Sequence, residues 1–285
     1  MRLLAQELAG LLGAKFGFLG EAANSVGGYL AQAVPGAGGL NAAAMLAEPR
    51  KAYLLLNAEP ELDCHDPRAA IKAMGAADFV VCLSAYKGFA LDYANAMLPI
   101  APFTETSGTF VNAEGRMQSF NGVVKPQGDA RPAWKVLRVL GNLLGLAGFD
   151  YDSSEQVRDE VGDQVAAKLD NRLSGMALAL APARAGLQRI ADVPIYASDA
   201  IVRRAASLQQ TRDAAPPRAW MNRALLAKLG LAEGQAVKVQ QGAGEAVLSA
   251  GLDDRLPRDC VRVAAAHATT RDLGPMFGEI KVEPQ

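Results

Sequence analysis

Apolar residues along this chain follow a helical period in some stretches and form short unbroken runs in others. Leu4, Leu8, Leu11 and Leu12 share one face of an amphipathic opening helix. Ala52–Leu56 and residues 79–83 are continuous apolar runs, the pattern of buried strands. Between them Asp66 is placed to cap a helix, with Pro67 at its first position and Gly75 at its end. Residues 57–60 form the loop at the carboxyl end of the first strand, and 88–94 make another short helix. Strand, helix and strand in this order predict a parallel sheet covered on both faces.

Two short runs then flank Asn112-Ala113-Glu114-Gly115, which predicts a hairpin with Gly115 free to take positive φ. Pro132 opens a helix whose apolar stripe is Trp134, Leu137, Val139, Leu140 and Leu144. Ser153 and Gln156 suit a capping box ahead of Val157, Val161, Val165 and Leu169. From Arg218 onward the pattern shortens. Asn222 caps a small helix, Gly230 stops it, and β runs follow, including 245–250, 261–264 and 279–282. Several short strands around one helix predict a compact β-barrel. The partition read from the pattern is an α/β domain over 1–180, a crossing segment over 181–217 and the barrel over 218–285.

The 285 residues are 50% hydrophobic, so a sizeable core is available. A net charge of −1 and 6% aromatic content argue against a nucleic-acid surface. Residues 22–47 are uncharged but broken by glycines, proline and polar residues, so no membrane span is expected. Cys64, Cys82 and Cys260 are widely spaced, with no CxxC, and read as free thiols in a reducing compartment. The chain is read as soluble and cytoplasmic.

Nucleophilic and phosphate-cradle chemistry is hard to place. Two histidines, His65 and His267, occur without a GxSxG elbow, and each reads first as a structural hydrogen-bonding residue. Neither GxGxxG nor GxxxxGK[ST] is present. The densest chemistry lies in 99–122, "PIAPFTETSGTFVNAEGRMQSFNG". It follows an apolar run at the expected carboxyl edge of the sheet, where open α/β sheets bind ligands. Thr104, Thr106, Ser107 and Thr109 offer hydroxyls, Asn112 and Gln118 amides, and the glycines exposed N–H groups. Two readings stand: these groups hold a polar heterocycle or phosphate, or Glu105 and Glu114 pair with Arg116 and fix the loop.

The pattern E-x-x-G-T-F-x-N-x-E-G-R-x-Q over 105–118 resembles the molybdopterin oxidoreductase superfamily. "ARPAWKVLRVLGNLLG" over 130–145 and "DVPIYASDAIVRRAASLQQT" over 192–211 resemble its respiratory complex I branch, the large iron–sulfur subunit of bacterial NADH:quinone oxidoreductase. "MNRALLAKLGLAEGQAVKV" over 221–239 resembles the start of the superfamily's double-psi β-barrel. The resemblance implies a parallel-sheet α/β domain followed by that barrel. It also implies a longer subunit in which Met1 falls midway and the iron–sulfur clusters lie in the preceding part.

The complex I branch implies no cofactor and no catalytic residue in this stretch. Its expected partners are the rest of the subunit and other hydrophilic-arm subunits, on the cytoplasmic side of the inner membrane and without direct membrane insertion. In this branch the 104–118 loop would be a structural relic of a pterin-edge loop. The alternative is a molybdopterin-guanine-dinucleotide enzyme of formate dehydrogenase type. There Asn57, Thr104, Gly108, Thr109, Asn112, Arg116 and Gln118 would line the cofactor crevice, with His267 contributing from the barrel. Cys64 is the one thiol near the expected crevice.

Overall fold

The computed structural model of the protein describes residues 2–17, 19–20, 22–165 and 185–285. Along the chain come helices α1 (Arg2–Leu12), α2 (Ser25–Leu30) and α3 (Ala42–Ala47), strand β1 (Ala52–Leu56), helices α4 (Pro60–Asp63) and α5 (Pro67–Ala76), and strands β2 (Phe79–Ser84), β3 (Ala96–Pro99), β4 (Gly108–Val111) and β5 (Met117–Phe120). Helices α6 (Ala133–Leu143) and α7 (Ser154–Val165) follow, then β6 (Gln188–Ile190), α8 (Ala206–Gln209), β7 (Arg218–Met221) and α9 (Arg223–Lys228). The last strands are β8 (Ala236–Gln241), β9 (Gly244–Leu252), β10 (Cys260–Arg262), β11 (Phe277–Glu279) and β12 (Lys281–Pro284).

These elements form two compact units, Met1–Asn41 with Pro99–Pro182, and Ala42–Leu98 with Ala183–Gln285. This interleaving differs from the linear partition at 180 and 217. Bonds distant in sequence join 42–98 to the last third of the chain, such as Met276 N–H to the His65 carbonyl at 2.9 Å.

In the first unit, β4 and β5 form the expected antiparallel hairpin, with Thr109 opposite Ser119. Asn112 Oδ1 accepts from the N–H groups of Glu114 (3.0 Å) and Arg116 (2.9 Å), so the side chain substitutes for backbone partners across the turn. Gly115 takes φ 82°. The start of α7 forms much as its capping pattern predicts. Ser153 Oγ accepts from Gln156 N–H at 3.3 Å, while Gln156 Oε1 accepts from Asp152 N–H at 2.7 Å. Leu169 and the side chain of Val165 lie outside the described residues. On α6, Trp134, Leu137 and Leu140 are half-buried, but Val139 and Leu144 of the predicted stripe are exposed.

In the second unit, β1 and β2 pair in parallel, Ala52 with Phe79 through Leu56 with Leu83, and β3 completes the order β1-β2-β3. Asp66 Oδ1 accepts from Ala69 N–H at 3.0 Å and starts α5 as expected. Tyr53, Val80 and Cys82 pack with Ala73 and Met74 of α5 on one face. The other face is covered at Leu83, which is 1% exposed, but Leu54, Leu56 and Phe79 are exposed, so the expected covering of both faces is incomplete among the described residues. Residues 88–92 make a tight 3-10 turn, where a longer helix was expected.

The second sheet of this unit has the order β11-β6-β10-β7-β9-β8-β12. It mixes parallel pairs (β6 with β10, β7 with β9) and antiparallel ones. Its two edge strands are separated by Ile280 alone, so the sheet must curl to bring both edges to one residue. Alternate positions of β8 and β9 turn inward, and Val237, Val239, Leu248, Val261, Val263 and Leu273 fill the interior. The sheet takes β6 from the segment read as a crossing between domains, and the single strand expected at 279–282 is two strands divided at Ile280.

Arg189 of β6 is 2% exposed and donates to Gln241 Oε1 (3.0 Å) and the carbonyl of Gly274 (3.1 Å). Burial lowers its pKa to about 10. The charge is satisfied by neutral oxygens, which ties the 263–275 loop to the sheet. No helix among the described residues is long and apolar enough to cross a membrane.

Asn222 Oδ1 caps α9 by accepting from Leu225 N–H at 2.8 Å, and its Nδ2 donates to the carbonyls of Leu256 and Pro257. Asn222→Ala is predicted to cost about 2 kcal/mol in urea denaturation, through the lost cap and two stranded carbonyls. A loss below about 0.5 kcal/mol would contradict this role.

Candidate functional site

The carboxyl end of β1 is the most strongly charged buried place in the described chain. The strand ends at Leu56 and is followed by Asn57, whose φ of 51° turns the backbone and whose N–H donates to the Leu83 carbonyl at 2.9 Å. The turn delivers Glu59, Glu61 and Asp63 in succession around α4. Glu59 N–H donates to Asp63 Oδ2 at 2.7 Å, so the short helix closes on its own carboxylate.

Two arginines meet this end of the sheet. Arg203 Nη1 lies 2.8 Å from Glu59 Oε2, and its Nη2 lies 2.6 Å from Asp63 Oδ1. Arg204 Nη2 lies 2.5 Å from Glu59 Oε1, and its Nη1 donates to Oε2 at 3.1 Å. One carboxylate therefore receives three N–H groups from two guanidiniums. The Arg204 guanidinium also lies over the Tyr86 ring, 4.6 Å from its centroid. Gly88, at φ +49°, allows this closeness: a Cβ there would fall 2.7 Å from Glu59 Oε1 and 2.8 Å from Arg204 Nη2.

Burial opposes ionisation of Glu59, but the hydrogen bonds from Arg204 and Arg203 outweigh it and hold its carboxyl below the ordinary range. Glu61 behaves oppositely. It is 1% exposed, accepts from Tyr93 Oη–H at 3.0 Å through Oε2, and leaves Oε1 without a partner. Burial raises its pKa, and the neighbouring Glu59 and Asp63 charges add to the rise. Cys64 is pushed up to about 11 by burial and by Asp63, Glu61 and Asp66. At neutral pH it is a thiol.

The 104–118 residues lie in the other unit and are arranged differently from a converging site. Gly108 and Thr109 line a cavity of ≈ 260 Å³ with Ser107, Met117, Trp134 and Val157. Thr109 Oγ1 pairs with Ser119 Oγ at 3.0 Å, and Asn112 is engaged in the turn. The Thr104 carbonyl accepts from Val123 N–H at 2.7 Å. Arg116 and Gln118 are exposed, and Arg116 forms no ion pair among the described residues. The pairing of Glu105 and Glu114 with Arg116 is thus corrected: Glu105 Oε2 instead accepts from Gln127 N–H at 3.0 Å. Asn57 belongs to the second unit.

Each histidine is engaged by a neighbour in space. His65 stacks on Phe277 with centroids 6.1 Å apart. His267 Nδ1 accepts from Thr269 N–H at 3.2 Å, and burial lowers its pKa, so it is neutral at pH 7. No group of three or more His, Cys, Asp or Glu among the described residues is arranged to hold a metal ion. The residues that sequence reasoning missed are Glu59, Glu61, Asp63, Arg203 and Arg204. Their signals were an acidic residue at every second position after a strand, and an arginine pair inside an apolar segment.

Two family models match the chain. The molybdopterin oxidoreductase model covers residues 3–143, and the molybdopterin dinucleotide binding domain model covers 195–275. The chain belongs to the molybdopterin oxidoreductase superfamily. It is similar to a Staphylococcus aureus (strain USA300) protein named "Putative formate dehydrogenase", 36% identical over 84 residues, which are 30% of this chain and 8% of that protein. A Staphylococcus haemolyticus (strain JCSC1435) protein of the same description is 33% identical over 89 residues, 31% of this chain and 9% of that one. The matched stretch is thus under a tenth of these relatives. In fold, the chain is similar to acetylene hydratase from Pelobacter acetylenicus, with a TM-score of 0.60 and 16% identity over 85% of this chain and 46% of that one.

A molybdopterin dinucleotide carries a pyrophosphate, and the carboxyl edge of β1 can be tested for its fit. The edge presents Glu59, Glu61 and Asp63, and both guanidiniums that reach it are engaged by those carboxylates. A polyanion does not fit there while Glu59 stays in place.

Three expected outcomes follow from this geometry. Arg203→Met leaves two carboxylates short of a partner and is predicted to cost about 3 kcal/mol in urea denaturation; a loss under about 1 kcal/mol would contradict the geometry. The folded pKa of Glu61 is raised above its ordinary 4.5, so its contribution is present below that pH and is lost as pH rises through the folded value. Glu61→Gln should therefore gain on the wild type as pH rises from 4.5 toward 7, where a pH-independent difference would contradict the shift. Arg116→Ala should change stability by less than about 0.5 kcal/mol.

Proposed function

We propose that this chain is a scaffold region of an electron-transfer oxidoreductase in the molybdopterin oxidoreductase superfamily. Its place would be the large iron–sulfur subunit of a bacterial NADH:quinone oxidoreductase, which moves electrons from NADH to quinone. The observation that carries this reading is the Glu59 carboxylate, clamped by Arg203 and Arg204 at the carboxyl end of the parallel sheet. The edge where such sheets bind ligands is occupied by the chain's own side chains. The resemblance of 130–145 and 192–211 to the complex I branch supports the same reading, and Arg203 and Arg204 lie within the second of those stretches. Under it the chain carries no catalytic residue. It packs against the cluster-bearing part of its subunit and against neighbouring subunits of a hydrophilic arm on the cytoplasmic side of the membrane.

A second reading is favoured by the comparisons. The relatives named "Putative formate dehydrogenase" and the match of 195–275 to a dinucleotide binding domain support part of an active molybdopterin oxidoreductase. In that case the 195–275 domain would take part in holding the dinucleotide.

Elemental analysis of the native protein for molybdenum, tungsten and iron, with a fluorescence assay for released pterin, separates the two. The scaffold reading predicts iron without molybdenum, tungsten or pterin. Stoichiometric molybdenum or tungsten with pterin overturns it in favour of the second reading.

A further inference from the structure

The two arginines at the carboxyl end of β1 are held in place by bonds that do not involve Glu59. Arg203 Nε donates to the Ala197 carbonyl at 2.9 Å, and Arg204 Nη1 donates to the Ala200 carbonyl at 3.0 Å. The Tyr86 ring supports the Arg204 guanidinium, and Asp63 holds Arg203 Nη2 at 2.6 Å. The pair therefore has supports other than Glu59.

What enters is a single oxyanion. Three N–H groups converge on the two oxygens of Glu59 at 2.5, 2.8 and 3.1 Å. Guanidinium forks recognise carboxylate and phosphate with this donor geometry. Glu59 itself sits on a turn outside the sheet, where ligands of parallel sheets lie. Of the two cations, Asp63 balances Arg203, so the Glu59 charge balances the other. Arg204 keeps a side-chain exposure of 31%, which leaves its guanidinium reachable from solvent.

We infer that Arg203 and Arg204 form an oxyanion site that the chain fills with its own Glu59, an internal ligand that excludes carboxylates and phosphates from the sheet edge. The inference deepens the scaffold reading by naming the residue that closes the edge, and it rests on that reading only for its biological setting. Removing the side chain beyond Cβ would leave a cradle of the size of a carboxylate, open on the Arg204 side and one positive charge in excess.

The test uses Glu59→Ala in the intact chain, with thermal unfolding and calorimetric titration against sodium acetate and pyrophosphate at ionic strength matched with chloride. The variant should be stabilised saturably by one or both anions, with half-saturation at a concentration at least about tenfold below any wild-type response. A response to acetate alone defines a carboxylate cradle, and a response to pyrophosphate a phosphate site. The added substitution Arg204→Met should abolish the gain. Equal anion responses in wild type and Glu59→Ala overturn the inference, as does a gain that survives Arg204→Met. If Glu59→Ala does not fold in chloride, refolding in acetate or pyrophosphate is read instead: recovery of native circular dichroism supports the site, and no recovery in either anion contradicts it. Molybdenum and pterin in the native protein would defeat the scaffold reading without changing these titrations, so the two failures are distinguishable.

Discussion

The Glu59 carboxylate between two guanidiniums is the interaction on which the second unit is organised. It joins the end of the first parallel strand to a segment more than a hundred residues later, and that segment leads into the curled sheet. Desolvation alone would raise the energy of each charge, and the pairing is tolerable because both carboxylate oxygens and most guanidinium N–H groups are bonded. Removing one partner strands the others, so the cluster behaves as a unit. Glu61 shows the alternative outcome two residues away. It has one hydroxyl partner and no cation, and its carboxyl shifts toward the neutral form.

A buried charge without a counter-ion recurs in the curled sheet at Arg189, solved there by carbonyl and amide oxygens. The two solutions differ in what they hold. Arg189 ties a loop to the strand that carries it, whereas Arg203 and Arg204 tie a connecting segment to a separate sheet. Both satisfy buried charge with groups of the chain itself.

Much of the local structure was legible in the residues. Asp66 and Asn222 act as caps because their side chains reach N–H groups three residues on, within the range that a sequence pattern can express. The β4–β5 hairpin follows from Asn112 and Gly115 for the same reason. The α/β class and the family were carried by apolar runs and by the 105–118 pattern. The interleaved units were not legible, because contacts such as His65 with Met276 have no local signature. Nor was the division at Ile280, where the two edge strands of a curled sheet replace one straight strand. The candidate site was the least legible part. Asn112 and Thr109 are spent on the hairpin itself, Arg116 and Gln118 face solvent, and the charged cluster forms only when residues 59 and 203–204 meet in space.

The central claim is that Glu59 and Arg204 are energetically coupled across that distance. A double-mutant cycle with Glu59→Gln and Arg204→Met, read by urea denaturation at pH 7, tests it most directly. The account predicts a favourable coupling of about 1–3 kcal/mol. Additive effects within about 0.3 kcal/mol would show that the two side chains act independently and would contradict it.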